Sequence, residues 1–259
     1  MFMTRINENN MIPKVIHYCW FGRNPLSPLA VRCIESWKKY CPDYEIKEWN
    51  EDNFDVNIIP YTAEAYKARK YAFVSDYARF WILYQYGGLY FDTDVEVIRD
   101  MGDFLAAGPF MGCENEAVPG ATPKNLGVNP GLGLGVNPGL GLFKEILDLY
   151  KDRHFILPDG SFNTETVVHI TTGLLCKKGL KNISEIQQID GVLIYPKDYL
   201  CPKDYHTKKL HITENTLCIH HFDGSWQPKT KKLQLAYKLF GRNLTEKLIP
   251  LYTKLFVRK

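Results

Sequence analysis

The 259 residues are 45% hydrophobic and 24% charged with a net charge of +3, the make-up of a globular chain able to bury one full core. This excludes a disordered chain, and with no apolar run of eighteen residues it excludes a membrane-spanning helix. The seven cysteines at 19, 33, 41, 113, 176, 201 and 218 are scattered and form no Cys-x-x-Cys pair, which speaks against a zinc site or disulfide framework and for reduced thiols.

Residues 1–12 read as a flexible polar arm without a secretory pattern, so the expected location is cytoplasmic. Pro13 opens Lys14-Val15-Ile16-His17-Tyr18-Cys19-Trp20-Phe21-Gly22, a β-branched and aromatic strand that Gly22 ends in a turn. Trp20 closes that strand, where ligands of open α/β sheets bind, and its indole face suits stacking on a base. Ser27 and Pro28 are N-cap and first-turn residues of a helix running to Tyr40. Tyr44 to Trp49 alternates as a second strand, so strand, helix and strand predict a parallel βαβ unit.

Two helices are predicted at Tyr61–Lys70 and Ala72–Tyr86. The second carries an aromatic stripe of Phe73, Tyr77, Phe80, Trp81 and Tyr84, which is core. Asp76 and Arg79 lie three apart and can pair, as solvated helix neighbours do for about 0.2–0.5 kcal/mol. The helix leads into Gly87-Gly88-Leu89-Tyr90-Phe91-Asp92-Thr93-Asp94-Val95-Glu96-Val97. Asp92 and Asp94 are spaced to share one face of a strand. Paired carboxylates repel unless a cation lies between them, and hard oxygen ligands suit Mg²⁺ or Mn²⁺.

A short strand follows at Phe110–Cys113, then a loop over 115–125. The octapeptide Leu126-Gly-Val-Asn-Pro-Gly-Leu-Gly133 recurs identically at 134–141. Its Gly and Pro content argues against a long regular strand, and Asn129 or Asn137 could bond sugar hydroxyls. Helices are predicted at Leu142–Lys151 and Thr164–Cys176, and strands at Gly191–Tyr195 and Asn215–His220. Beyond the last come His220-His221-Phe222-Asp223-Gly224-Ser225-Trp226-Gln227-Pro228-Lys229. Imidazole can bind Mn²⁺, and Ser225, Trp226 and Lys229 are donors suited to phosphate oxygens. Residues 229–259 hold nine Lys or Arg against one acid, Glu246, with an interrupted apolar side. They read as basic amphipathic helices that either pack on the domain or lie on an anionic membrane surface, the latter making the protein peripheral on the inner face of the cell membrane.

In this order, Ile16–Gly22, Asp76-Tyr-Ala-Arg79, Gly87–Asp94 and His220–Trp226 resemble glycosyltransferase family 32, the sugar transferases with an Asp-x-Asp (DXD) motif. That family includes capsule and lipopolysaccharide enzymes, with yeast α-mannosyltransferases and clostridial glucosylating toxins as relatives. The resemblance covers about 12–228 and implies an α/β, GT-A-like domain over 13–228, built on one Rossmann-type mixed sheet flanked by helices. It further implies a hexosyltransferase that retains anomeric configuration, with Mn²⁺ or Mg²⁺ as cofactor. Its partners would be a nucleotide-sugar donor, UDP-sugars being commonest, and a saccharide or lipid-linked saccharide acceptor in surface polysaccharide synthesis; no nucleic acid is implied. By the same resemblance Trp20 stacks on the base, and Asp76 and Arg79 hold the donor sugar and phosphate. Tyr90 lines the donor site, Asp92 and Asp94 serve the metal with His221, and Ser225 and Trp226 bond the diphosphate. Two competing readings remain: a haloacid-dehalogenase-type phosphatase with Asp92 as nucleophile, and a non-catalytic membrane-surface or carbohydrate-binding module.

Overall fold

A computed structural model describes residues 11–205 and 207–224. Residues 1–10 of the expected arm over 1–12, and the basic tail over 229–259 with Ser225, Trp226 and Lys229, lie outside the described residues. Ile12, by contrast, is buried against the core and is no part of a loose arm.

The elements in chain order begin with strand β1 (Val15–Cys19), helix α1 (Pro28–Tyr40) and strand β2 (Glu45–Trp49). Ser27 caps α1 as expected, its hydroxyl accepting from Ala30 N at 3.1 Å, an arrangement worth about 1 kcal/mol. Helices α2 (Pro60–Lys67) and α3 (Tyr71–Tyr86) lead to strands β3 (Gly88–Tyr90) and β4 (Val95–Val97). Next come α4 (Gly102–Ala106), β5 (Phe110–Gly112), β6 (Leu134–Val136) and α5 (Gly141–Tyr150). The chain continues through α6 (Val167–Lys177), β7 (Gln187–Ile189), β8 (Val192–Tyr195), α7 (Lys197–Leu200) and β9 (Cys218–His220).

Seven strands form one mixed sheet in the order β2-β1-β3-β6-β5-β8-β7. β1 pairs in parallel with β2 and β3, β5 pairs in parallel with β8, and β6 runs antiparallel between β3 and β5. The expected parallel βαβ unit and mixed α/β sheet are thus present, with helices packed around two apolar clusters. The small sheet β4-β9 stands apart from the large one.

The octapeptide repeat is where patterning and structure part. Its second copy supplies β6, the central strand, despite its glycines. Gly135 is required there because a Cβ would fall 2.2 Å from the Phe110 ring, which lies across the strand. The unforeseen elements α4, α7 and β7 are only three to five residues long, too short for a periodic signal.

Candidate active site

α3 and β3 meet at Gly87-Gly88, and that junction aims their functional side chains at one place. Gly88 has φ +99°, and a Cβ there would sit 2.7 Å from Val15 O and 3.0 Å from His17 Nε2. The buried His17 holds this corner. Trp49 donates its indole N–H to His17 Nδ1 at 3.0 Å, so Nε2 carries the proton and donates to Gly87 O at 3.0 Å. Burial lowers the His17 pKa to about 4 and keeps the ring neutral.

Asp76 and Arg79 are not the solvated pair that their spacing alone suggests. Arg79 is 3% and Asp76 9% exposed, and Arg79 Nη2 lies 2.9 Å from Asp76 Oδ1 and 3.3 Å from Asp92 Oδ1. Its guanidinium also sits 4.9 Å from the centroid of the buried Tyr90 ring. One cation therefore serves two carboxylates. Burial, reinforced by the Asp92 charge and opposed by Arg79, raises the Asp76 pKa to about 7. Asp92 also accepts from the Tyr90 hydroxyl at 3.1 Å. Gly131 presses on its other oxygen, where an added Cβ would come within 2.1 Å of Oδ2.

Thr93 and Asp94 form a turn before β4, so the two acids do not alternate along one extended strand. The turn swings Asp94 toward β9. Its carboxylate accepts from Asp223 N at 2.8 Å and lies 3.2 Å from His220 Nε2. Burial works against the charge on Asp94; His220 and the Asp223 amide outweigh it and hold the carboxyl well below the usual range.

The histidine expected beside the acids was His221. The structure puts His220 there instead. His220 stands opposite Val95 on β9, and His221 alternates to the other side, with Nε2 2.7 Å from Glu96 Oε2. His221 serves Asp94 only through its backbone, donating N–H to Asp94 O at 2.9 Å. Ligand atoms of Asp92, Asp94 and His220 all lie within 4.8 Å of one another. Nδ1 of His220 is buried and has no hydrogen-bond partner among the described residues. Two hard oxygens and an imidazole with an uncommitted nitrogen fit Mn²⁺ or Mg²⁺, Mn²⁺ the better for accepting nitrogen.

Asn129 is the copy of the repeat that reaches this site. It is 8% exposed, accepts from Gly131 N at 2.7 Å and donates to Glu114 Oε2 at 3.0 Å. Gly131 O in turn accepts from Asp92 N at 3.2 Å. Asn137 stands at the far end of β6, beside Pro138 and the α3–β3 junction. Glu114 went unnoticed in the sequence and His220 was passed over for His221: Glu114 follows a short strand in an unpatterned loop, and which of two adjacent histidines faces inward depends on register. Trp20 is half-buried near the ends of β1 and β2, with its indole N–H donating to Asn24 O at 2.7 Å.

Residues 28–111, spanning α1 to the DXD acids and β5, match the family described as "Glycosyltransferase sugar-binding region containing DXD motif". Over this stretch the chain is similar to DXD-type sugar-binding regions. The chain is 32% identical over 103 residues to inositol phosphoceramide mannosyltransferase 3 of Schizosaccharomyces pombe, covering 38% of this chain and 29% of that protein. The chain is also 35% identical over 107 residues to the uncharacterized glycosyltransferase L373 of Acanthamoeba polyphaga mimivirus, covering 39% of this chain and 43% of that protein. The chain thus spans less than half the length of these curated relatives. Among solved structures, the PaToxG glycosyltransferase aligns over 66% of this chain and 71% of its own with TM-score 0.48 and 19% identity. The galactosyltransferase LgtC aligns over 90% and 94% with TM-score 0.42 and 14% identity. The site rests on the side chains that converge just past β3, an interior strand of the sheet.

Proposed function

We propose that the protein transfers a sugar from a nucleoside-diphosphate-sugar donor to a saccharide or lipid-linked saccharide acceptor, with retention at the anomeric carbon. The observation that carries this reading is the convergence of Asp92, Asp94 and His220 beside the buried Arg79–Asp76 pair, within a DXD-type region. Asp92, Asp94 and His220 would hold a divalent cation, which when bound offsets charge gathering on the leaving diphosphate. Arg79 fixes Asp92 and Asp76 in place before substrate arrives, so little reorganisation is needed at the site. Asp76 presents a carboxyl to the sugar, and Trp20 offers an aromatic face to the base. UDP as the nucleotide, retention and a role in surface polysaccharide synthesis are carried by the family resemblance. A lipid-borne acceptor is supported by the names of the fission-yeast relatives.

The phosphatase alternative needs Asp92 free to attack phosphorus. Here Arg79 and Tyr90 hold it and Gly131 covers one oxygen, a setting suited to binding rather than to nucleophilic attack.

The test is a thermal-shift and donor-hydrolysis panel of UDP, GDP and their sugars with and without Mn²⁺. The true donor nucleotide raises Tm only with its metal, since a ligand of the folded state stabilises by mass action. Asp94→Asn abolishes both the shift and hydrolysis. Full activity of that variant in excess chelator would sink the reading.

A further inference from the structure

Between α5 and α6 the chain makes a small hairpin that serves neither the sheet nor the site. Ile156 bridges to Phe162 in antiparallel fashion, and Leu157 N donates to Ser161 O at 2.8 Å. Its base is firmly anchored. Phe155 is fully buried against Tyr61 and Phe73, and Glu64 of α2 accepts from Phe155 N at 2.8 Å, Ile156 N at 2.9 Å and the His154 ring at 2.6 Å. Arg153 pairs with Glu165 at 2.6 Å across the hairpin's ends. The tip is nonetheless apolar and outward: Ile156 is 37%, Leu157 37% and Phe162 42% exposed. A rigid hairpin that shows three large apolar side chains to water is costly to keep without a partner.

The charge beside it identifies the partner. α2 ends at Lys67 and is followed by Ala68-Arg69-Lys70, and Lys70 Nζ lies 5.8 Å from the Phe162 ring centroid. Lys67 and Arg69 are exposed. Of the nearby acids, Glu64 and Glu165 are consumed by the contacts above, and Asp159 folds back on Ser161 N and Oγ; Asp152 remains exposed. Apolar side chains rimmed by cations are the signature of a surface that sinks into the headgroup layer of an anionic bilayer.

We propose that hairpin 154–163 and the end of α2 form a membrane-docking face for anionic lipid. This face lies in a different part of the sequence from the basic tail. Five residues after Phe162 comes Val167, whose backbone amide lies near Asp76, so the face lies one short segment from the candidate active site. A lipid-borne acceptor would then reach Asp76 without leaving the membrane. The docking itself does not depend on the transfer reaction.

The experiment is co-sedimentation of the full chain with phosphatidylcholine vesicles containing roughly a quarter phosphatidylglycerol. Leu157→Asp with Phe162→Asp weakens binding about tenfold with the unfolding midpoint retained. Lys67→Glu with Lys70→Glu weakens it on these vesicles and leaves pure phosphatidylcholine unaffected. In Phe162→Trp the added indole is quenched by brominated acyl chains. Binding of the Asp variant equal to the parent's, or an unquenched indole at 162, overturns the proposal. So does a dimer that the Asp variant dissociates while vesicle binding stays unchanged, which would assign the face to a second copy of the chain.

Discussion

Nε2 of His220 lies 3.2 Å from Oδ1 of Asp94, although the two residues are 126 positions apart and no hydrophobic pattern links them. The antiparallel pairing of β4 with β9 makes the contact, and the turn at Thr93-Asp94 aims the carboxylate. The adjacent His221 is excluded from the cluster by the alternation of a strand.

The first prediction separates the two histidines. His220→Ala weakens Mn²⁺ binding by at least about a hundredfold, whereas His221→Ala, which loses only the bond to Glu96, costs about tenfold or less. Isothermal titration of the metal into each variant measures both. The reverse ranking would restore His221 to the ligand set.

Arg79 is the second case. Its loss leaves Asp76 and Asp92 facing each other without a cation, so Arg79→Ala should destabilise the fold by about 3–5 kcal/mol. Adding Asp76→Asn removes one of the stranded charges and should recover part of that loss. Urea unfolding of the single and double variants checks this; strictly additive losses would contradict it.

The repeated octapeptide offers a matched comparison. Gly131 and Gly139 hold the same place in the two copies. Gly131→Ala forces a methyl onto Asp92 Oδ2 and should cost about 1–3 kcal/mol together with the metal-dependent Tm shift. At Gly139 a Cβ meets nothing, but φ is +78°, so Gly139→Ala costs about 1–2 kcal/mol of backbone strain and leaves metal binding intact. Equal effects on the metal would mean that Gly131 does not position Asp92.

His17 gives a pH signature. Its pKa falls from 6.5 to about 4 on folding, so between those values the unfolded chain binds the extra proton and stability rises with pH. The contribution is complete above about pH 6.5, is lost as pH falls to 4, and is on the order of 3 kcal/mol. Asp76, with its raised pKa, pulls the other way between about pH 4 and 7, so the readout is the difference between the parent and His17→Gln. That difference should grow from pH 4 to 6.5 and then level off; a flat difference would show the ring to be charged in the fold.

Much of this was legible from local chemistry. The capped helix α1, the parallel βαβ start, the aromatic stripe of α3 and the DXD acids each announce themselves within a dozen residues, because helix and strand periods and capping are short-range effects. The pairing of Asp76 with Arg79 was legible too, but its burial was not: spacing reports who can touch, not what covers them. The octapeptide shows the limit most directly. Leu-Gly-Val forms the buried strand at 134–136 but at 126–128 only the end of a 3-10 turn and an isolated bridge from Val128 to Cys113, with Gly127 at φ +59° where Gly135 is extended. Local propensity is the same for both, so the choice is made by the neighbours: β3 and β5 offer backbone edges to 134–136, whereas Val128 meets only the Cys113 bridge and the Thr172 hydroxyl. The chain's own order thus set the elements and the chemistry they carry. Which glycine, which asparagine and which histidine serve the site was decided by long-range hydrogen bonding and strand register, which act only once the sheet has closed.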